Sequence, residues 1–403
     1  MTVTADQTTT TVDRVHPAAL RHDDDRFVGM AAEVGAVAAE HSADHDRDAT
    51  FVHQAYAAMR AGGYLALAVP TELGGLGASM RQVCYAQAEL ARHDGAAALA
   101  STMHLYNTLA QVYRWRNGAP DAEGVLRRVA DEGLVIATSG GSDWLWPTTV
   151  AVPDADGSGY LVSGRKVFCS QAPGATVIST SAVVGAPGDG AEVLHFSVLL
   201  AAEGVRLEET WDTLGMRGTA SHDLVLDDVH VPAERIVARR VWGEMAPPLL
   251  VAGFHFAPVG GATYFGIAAG ARDVAVAGAT TAARGVTPLA TLPRVQRQVG
   301  LMDAKLRVAW WGLMGSLDQL GDDYTVNPEA VSAVMLAKRH AVTEAIEVVD
   351  LAMDVLGGRS YYRRSPLERA LRDVRAGTFH PFSPEVTLSY AGKLALGQPV
   401  DTE

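Results

Sequence analysis

Cysteine is almost absent from this chain of 403 residues, which holds only Cys84 and Cys169. Two cysteines cannot build a disulfide framework, and neither stands in a paired Cys/His spacing that would hold zinc. A reducing, cytoplasmic setting is the expectation. Positive charge is also scarce, with 33 Lys and Arg against 46 Asp and Glu and a formal charge of −13. No basic cluster offers the phosphate-neutralising surface that nucleic acid requires, which leaves anionic cofactors open but argues against that partner. A long uninterrupted apolar run is missing too. The longest stretch, Ala246 to Ala279, is broken by Pro247, Pro248, His255, Pro258, Arg272 and Asp273, and reads as a buried bundle helix, with no membrane partner. The opening segment, Met1 to Asp25, has a run of Thr, then His and Asp, and none of the apolar core of a secretory signal. It reads as a flexible tail. The glycines of Gly74 to Gly77 lack the strand-GxGxxG-helix context, and no P-loop or nucleophile elbow occurs, so nicotinamide binding has no motif.

What is present is a large apolar content, 48% hydrophobic against 20% charged, enough to bury the core of two or three subdomains. Residues 26–133 carry Ala-rich stretches, Phe27 to Glu40 and Met80 to Arg92, with helical apolar spacing, around a loop at Val69 to Gly77. Residues 134–243 switch to short β-branched runs, Val177 to Val184, Val193 to Leu200 and Leu224 to Leu226, which predict an antiparallel sheet or small barrel. Residues 244–403 return to long periodic segments, notably Leu289 to Leu317 and Pro328 to Leu356. The fold class is α+β, with a β domain between an N-terminal helical domain and a C-terminal bundle. His41 and His45 stand four apart with Asp44 and Asp46 beside them, a metal-ligand spacing that reads as a solvated helix end because no third ligand is evident. No metal is expected.

Four segments carry chemistry. Thr138-Ser139-Gly140-Gly141-Ser142-Asp143-Trp144 supplies hydroxyls and bare amides of the kind that grip a ring and a phosphate, although alone it equally suits a surface turn. Phe168-Cys169-Ser170 follows a β-type run and offers an aromatic face and, two residues on, a hydroxyl that a strand would put on the same side. Trp211 precedes Leu214-Gly215-Met216-Arg217-Gly218-Thr219, in which Arg217 reads as a loop tie. Gly357 and Gly358 end a helix, as a stop signal or an anion cradle. Together these segments resemble the acyl-CoA dehydrogenase superfamily of flavoproteins over nearly the whole chain, from about Phe27 to Gly397. Phe-Cys-Ser is more similar to its monooxygenase branch, the dibenzothiophene monooxygenase-like enzymes, than to its dehydrogenases. The resemblance implies an N-terminal helical domain, a central antiparallel β domain and a C-terminal four-helix bundle. It implies FAD or FMN between the last two, held by Thr138, Ser142, Phe168, Ser170 and Trp211, and by Arg284, Gly357 and Gly358 toward a neighbouring subunit. A homodimer or homotetramer goes with it.

The base position then separates two chemistries. Dehydrogenation beside a thioester carbonyl needs a carboxylate to take the α proton. Counted from Arg372-Asp373, the glutamate of the dehydrogenases falls on Pro381, and their alternative site falls near Phe256, leaving Glu385 and Glu244 as displaced candidates. His380 instead is similar in spacing to a histidine of the monooxygenase branch, and His104 to a pocket histidine there. The catalytic candidates are therefore His380, Ser170 and His104. The leading expectation is a two-component monooxygenase, supplied with reduced flavin by a flavin reductase, that oxygenates a small organic substrate through a C4a-hydroperoxide whose proton His380 manages near neutral pKa. The alternatives are an FAD-dependent dehydrogenase of an acyl-CoA or acyl-carrier-protein thioester with a displaced base, and a non-catalytic homologue subunit.

Overall fold

The computed structural model describes residues 24–400; the expected tail of residues 1–25 lies almost entirely outside the described residues. The chain opens with helices α1 (Asp24–Asp48), α2 (His53–Ala61), α3 (Met80–His93), α4 (Gly95–Arg116) and α5 (Ala122–Asp131). Local chemistry sets their ends. Ser79 and Gln82 form a reciprocal capping box at the start of α3, and the Asp94 carboxylate accepts the Ala97 amide at 2.7 Å to start α4 one residue after α3 stops.

The strands follow: β1 (Ile136–Thr138), then the short helix α6 (Ser142–Leu145), β2 (Val150–Pro153), β3 (Gly159–Lys166), β4 (Val177–Val184), β5 (Glu192–Leu199), β6 (Val205–Glu208), β7 (Asp223–Pro232) and β8 (Ala238–Val241). They form one sheet in the order β6-β7-β3-β2-β4-β5-β8, with β1 also on β4. The expectation of an antiparallel sheet needs correction, because β1 and β2 both pair with β4 in parallel. The two strands follow one another along the same edge of β4, with α6 between them, while β5 takes the other edge. One face buries Val162, Ile178, Leu194, Phe196 and Leu224 in a core of its own.

The bundle comprises α7 (Pro247–Thr281), a small two-stranded pair of β9 (Ala283–Arg284) and β10 (Thr287–Pro288), then α8 (Pro293–Leu320), α9 (Pro328–Leu356), α10 (Pro366–Val374) and α11 (Pro384–Ala395). Helix α7 is apolar on every side because α3, α4, α8 and α9 surround it, and 83% of its most apolar window is buried. Trp310 of α8 is fully buried between Phe265 of α7 at 4.7 Å and Tyr85 of α3 at 4.9 Å, so one indole joins three helices.

Helix α7 touches α3 backbone to backbone. A Cβ on Gly266 would run into the Ala88 carbonyl, and one on Gly270 into that of Arg92. Main chain cannot yield as a flexible side chain does, so Gly266→Ala is expected to lower unfolding stability by about 1–3 kcal/mol despite the better helix propensity of alanine. Urea denaturation measures this; an unchanged or raised midpoint would refute the close approach.

Candidate functional site

A cavity of about 650 Å³ opens where the sheet, α4 and the bundle meet, within the range of small-molecule sites. Helix α4 contributes Leu99, Met103 and Tyr106; the β1–α6 turn contributes Thr138 to Gly141; the chain after β3 contributes Phe168 and Ser170. Trp211, Thr213 to Met216, Phe256 of α7, Arg372 of α10, Arg375 just after it, and the 379–383 segment add to the wall. A second cavity of about 310 Å³ shares Tyr106, Thr138, Ser139 and Trp144 with the first and extends past Asn107, Gln111, Ser181 and His195.

Phe168 and Ser170 both reach the main cavity, by a route other than the expected one. Strand β3 ends at Lys166, so strand alternation does not place them. Phe168 instead adopts a left-handed backbone, φ +55°, within a turn closed by the Ser170 amide donating to the Phe168 carbonyl at 2.9 Å. Such a conformation costs a bulky residue free energy. It leaves Phe168 56% exposed at the cavity, its ring edge-on to Trp211 at 5.8 Å, while the Trp211 indole donates to the Met216 carbonyl at 3.0 Å. Gly140 is needed beside it, since a Cβ there would lie 2.7 Å from Cβ of Phe168.

Ser170 is buried at the head of a hydroxyl chain. The Ser221 hydroxyl donates to Ser170 at 2.8 Å, which leaves the single Thr219 proton shared between Ser221 at 2.7 Å and the Met216 carbonyl at 2.8 Å. With its oxygen accepting from Ser221, Ser170 has its own proton to offer the cavity. Ser221 lines the cavity too and was not singled out by the sequence; its only signal was its place just after the Gly-Met-Arg-Gly-Thr motif.

Thr138 accepts from Tyr106 at 3.3 Å and faces both cavities. Ser142 opens α6 and Arg284 lies in β9, but their side chains are outside the described ones. Gly357 and Gly358 end α9 exposed, away from this chain's own cavity, with Gly357 at φ +59°. Arg217 is the loop tie expected, its guanidinium donating to the carbonyls of Asp46 at 2.6 Å and Thr213 at 3.0 Å. His45 is a buried helix-end residue bonded to Thr50 and Gln54, and no group of three metal-ligating side chains occurs among the described residues.

His104 is a correction. It is fully buried, accepts the Ile136 amide at Nδ1 (3.1 Å) and donates from Nε2 to the Leu65 carbonyl at 2.8 Å, so it pins β1 to the helical domain and does not line the cavity. Burial pushes its pKa down to about 4.

His380 does line the cavity, with Nδ1 bonded to the Tyr264 hydroxyl at 2.8 Å. The expectation of a near-neutral pKa fails. Burial first, and then the nearby Lys338, hold it down at about 3, so the imidazole is neutral throughout the working range. A neutral imidazole offers one donor and one acceptor, suited to hydrogen bonding rather than to carrying charge. Pro381 and Phe256 also line the cavity, whereas Glu385 and Glu244 are exposed and do not. Among the described residues no carboxylate lines either the dehydrogenase position or any other part of the main wall.

The α6 turn is anchored by cations. Lys166 is fully buried, donating to Asp143 at 2.7 Å and to the Ser181 carbonyl at 2.6 Å; Arg240 donates to the carbonyls of Leu145 (3.1 Å) and Trp144. Behind Met216 and outside the cavity lining, the Asp373 carboxyl accepts the Met216 amide at 2.5 Å, and burial raises its pKa to about 7.

Known proteins place this arrangement. Models of the N-terminal, middle and C-terminal domains of acyl-CoA dehydrogenase match residues 25–133, 137–229 and 259–384. The chain is 32% identical to the amino sugar nitrososynthase RubN8 of Streptomyces rubradiris over 369 residues, 88% of this chain and 86% of that one. KijD3, solved in complex with FMN and dTDP-3-amino-2,3,6-trideoxy-4-keto-3-methyl-D-glucose, superposes with a TM-score of 0.85 at 28% identity, covering 96% of this chain and 97% of its own. Dibenzothiophene monooxygenase TdsC from Paenibacillus sp. A11-2, with FMN and indole, shares the fold at a TM-score of 0.80 and 23% identity over 94% and 99% of the two chains. With its three domains matched in order around one cavity, the chain belongs to the acyl-CoA dehydrogenase family of flavin-dependent oxidoreductases.

Proposed function

We propose that this chain is a reduced-flavin monooxygenase that oxygenates the amine of a nucleotide-linked amino sugar, with FMN or FAD delivered reduced by a separate reductase. The observation that carries this reading is a cavity where Phe168, Ser170 and neutral His380 converge and no carboxylate among the described residues stands ready to remove an α proton. The residues suit a flavin: Phe168 presents a ring face, Ser170 and Thr138 present hydroxyls, and the Gly140-Gly141 backbone is bare. The likeness to RubN8 and KijD3 supplies the amine and the nucleotide sugar.

When bound, reduced flavin supplies the two electrons with which oxygen is activated. Each round puts one oxygen atom on nitrogen and releases the other as water. Two rounds and loss of one further water take a primary amine to a nitroso group. Ser170 would hold the ring by offering its hydroxyl proton, and neutral His380 would offer a hydrogen bond to the oxygen being transferred without adding a charge. The apolar wall of Leu99, Met103, Phe256 and Phe382 keeps water away from the reacting atoms. The second cavity gives room for the part of the substrate remote from the amine, against Asn107, Gln111 and Ser181. Exposed Val308 and Trp311 on α8 suit contact with another copy in a homodimer or homotetramer.

The full chain, with a flavin reductase, FMN and a dTDP-linked amino sugar, is expected to yield the hydroxylamine and then the nitroso sugar by mass spectrometry. The reading fails if the sugar is unchanged while acyl thioesters are desaturated.

A further inference from the structure

We propose that Lys338 is a positioning residue of this site, its ammonium holding the 380–382 segment in the path that presents His380 and Pro381 to the cavity. The inference rests on reading that cavity as the flavin site. Lys338 projects from α9 and is buried, yet no carboxylate among the described residues pairs with it. Its Nζ donates to three consecutive main-chain carbonyls instead, those of His380 at 3.1 Å, Pro381 at 3.0 Å and Phe382 at 2.9 Å. Only a protonated ammonium has three N–H donors. Three acceptors around one nitrogen therefore select the charged form, since a neutral amine would turn its lone pair on one of them. The Phe256 ring lies 5.5 Å from the same nitrogen, a cation–π contact with a second cavity-lining group.

The segment so held closes directly on the β1–α6 turn, where a Cβ on Gly141 would run into the Pro381 ring. Lys338 thus acts at one remove, through the backbone that sets the gap between the two walls.

The groups around it are few. His380 is the titratable side chain on the segment itself, and Tyr264 of α7 is reached through its ring. Arg339, next on α9, donates to the Pro384 carbonyl at 3.2 Å, and Glu385 on α11 is exposed. Burial lowers the Lys338 pKa to about 7, so its proton is lost as pH rises through neutrality. One carbonyl then loses its donor, and the wall relaxes.

The test titrates FMN into the full wild-type chain, Lys338→Arg and Lys338→Met at about pH 6.5 and 9, following flavin fluorescence. For the wild type the dissociation constant is expected to rise roughly fivefold across that range. Arginine stays charged, so Lys338→Arg should change by less than about twofold. Lys338→Met should bind about tenfold more weakly at both pH values, with three carbonyls unserved. Asp373, near 7 and common to all three proteins, contributes equally and drops out of the comparison. A Lys338→Arg protein that keeps the wild-type pH dependence overturns the proposal, as does a folded Lys338→Met that binds FMN like the wild type. Should Lys338→Met not fold, the arginine variant still decides. If the pH pattern holds but no amine is oxygenated, the reaction reading fails and the role of Lys338 stands; a wild type that binds no FMN overturns both.

Discussion

Replacing His380 by alanine is expected to slow amine oxygenation by about 10²-fold while FMN affinity changes little. The loss is that of one preorganised hydrogen bond aimed at the reacting oxygen, for which two to three orders of magnitude is the usual range. The histidine is held in place by Tyr264 on Nδ1 and by the Lys338 cage on its carbonyl, so its ring enters the site already oriented. Because burial and Lys338 keep its pKa at about 3, the variant should not remove any step from the activity profile between about pH 5 and 9. His380→Asn, which keeps a donor, should recover part of the rate. Single-turnover kinetics with preformed reduced FMN check this; a profile that loses an ionisation near neutrality would show that His380 is a proton carrier after all. The same depressed pKa has a stability consequence with a definite sign. The unfolded chain binds a proton that the folded chain refuses between about pH 6.5 and 3, so stability is present above that window and falls as the pH drops through it. His104, His195 and His255, each lowered to about 4 by burial, add in the same direction.

Asp143→Ala is expected to cost about 3–5 kcal/mol, the range for removing one partner of a buried pair. Lys166 has no exposure and burial already lowers its pKa, so without Asp143 it is left with the Ser181 carbonyl alone and tends to shed its proton, which holds the loss toward the lower end. The pair also fixes α6, whose Trp144 and Leu145 line the main cavity, and Arg240 holds the same two carbonyls from the other side. Flavin binding should weaken together with stability. Guanidinium denaturation and FMN titration measure the two losses. An Asp143→Ala protein as stable as the wild type would mean that Lys166 reaches water.

Much of this molecule was legible beforehand. Strand Val177–Val184 and helix Pro328–Leu356 were read with the ends they have, the first because a β-branched run is bounded by turn residues, the second because Asn327-Pro328 is an N-cap followed by proline at the first helical position. Strand β7 was read too short. Asp227, Asp228 and His230 interrupt its apolar pattern, and they face outward beside a bulge where Asp228 sits at φ +50°. The parallel pairing of β1 and β2 with β4 was not legible, since alternation reports which face is buried and not which way the neighbour runs.

At the site, the motif residues Phe168, Ser170, Thr138, Trp211 and His380 do converge on one cavity. The residues that set their state were hidden. Tyr264, Lys338 and Ser221 act through partners far along the chain, and Lys338 among Ala and Val of a buried helix carries no local sign that three carbonyls await it. His104 misled for the same reason: its spacing marked a histidine worth noticing, while its bonds to Leu65 and Ile136 depend on how α4 meets β1.

The central claim is the proposed one, that the cavity serves oxygen activation by reduced flavin and holds, among the described residues, no carboxylate with which to dehydrogenate. It is tested most directly by stopped-flow spectroscopy of the chain with photoreduced FMN or FAD, mixed with oxygen in one run and, as oxidised flavin without oxygen, with acyl thioesters in another. The account predicts a transient absorbance before reoxidation in the first run, shortened in His380→Ala, and no bleaching in the second. Rapid bleaching by a thioester, with featureless reoxidation by oxygen, would contradict it.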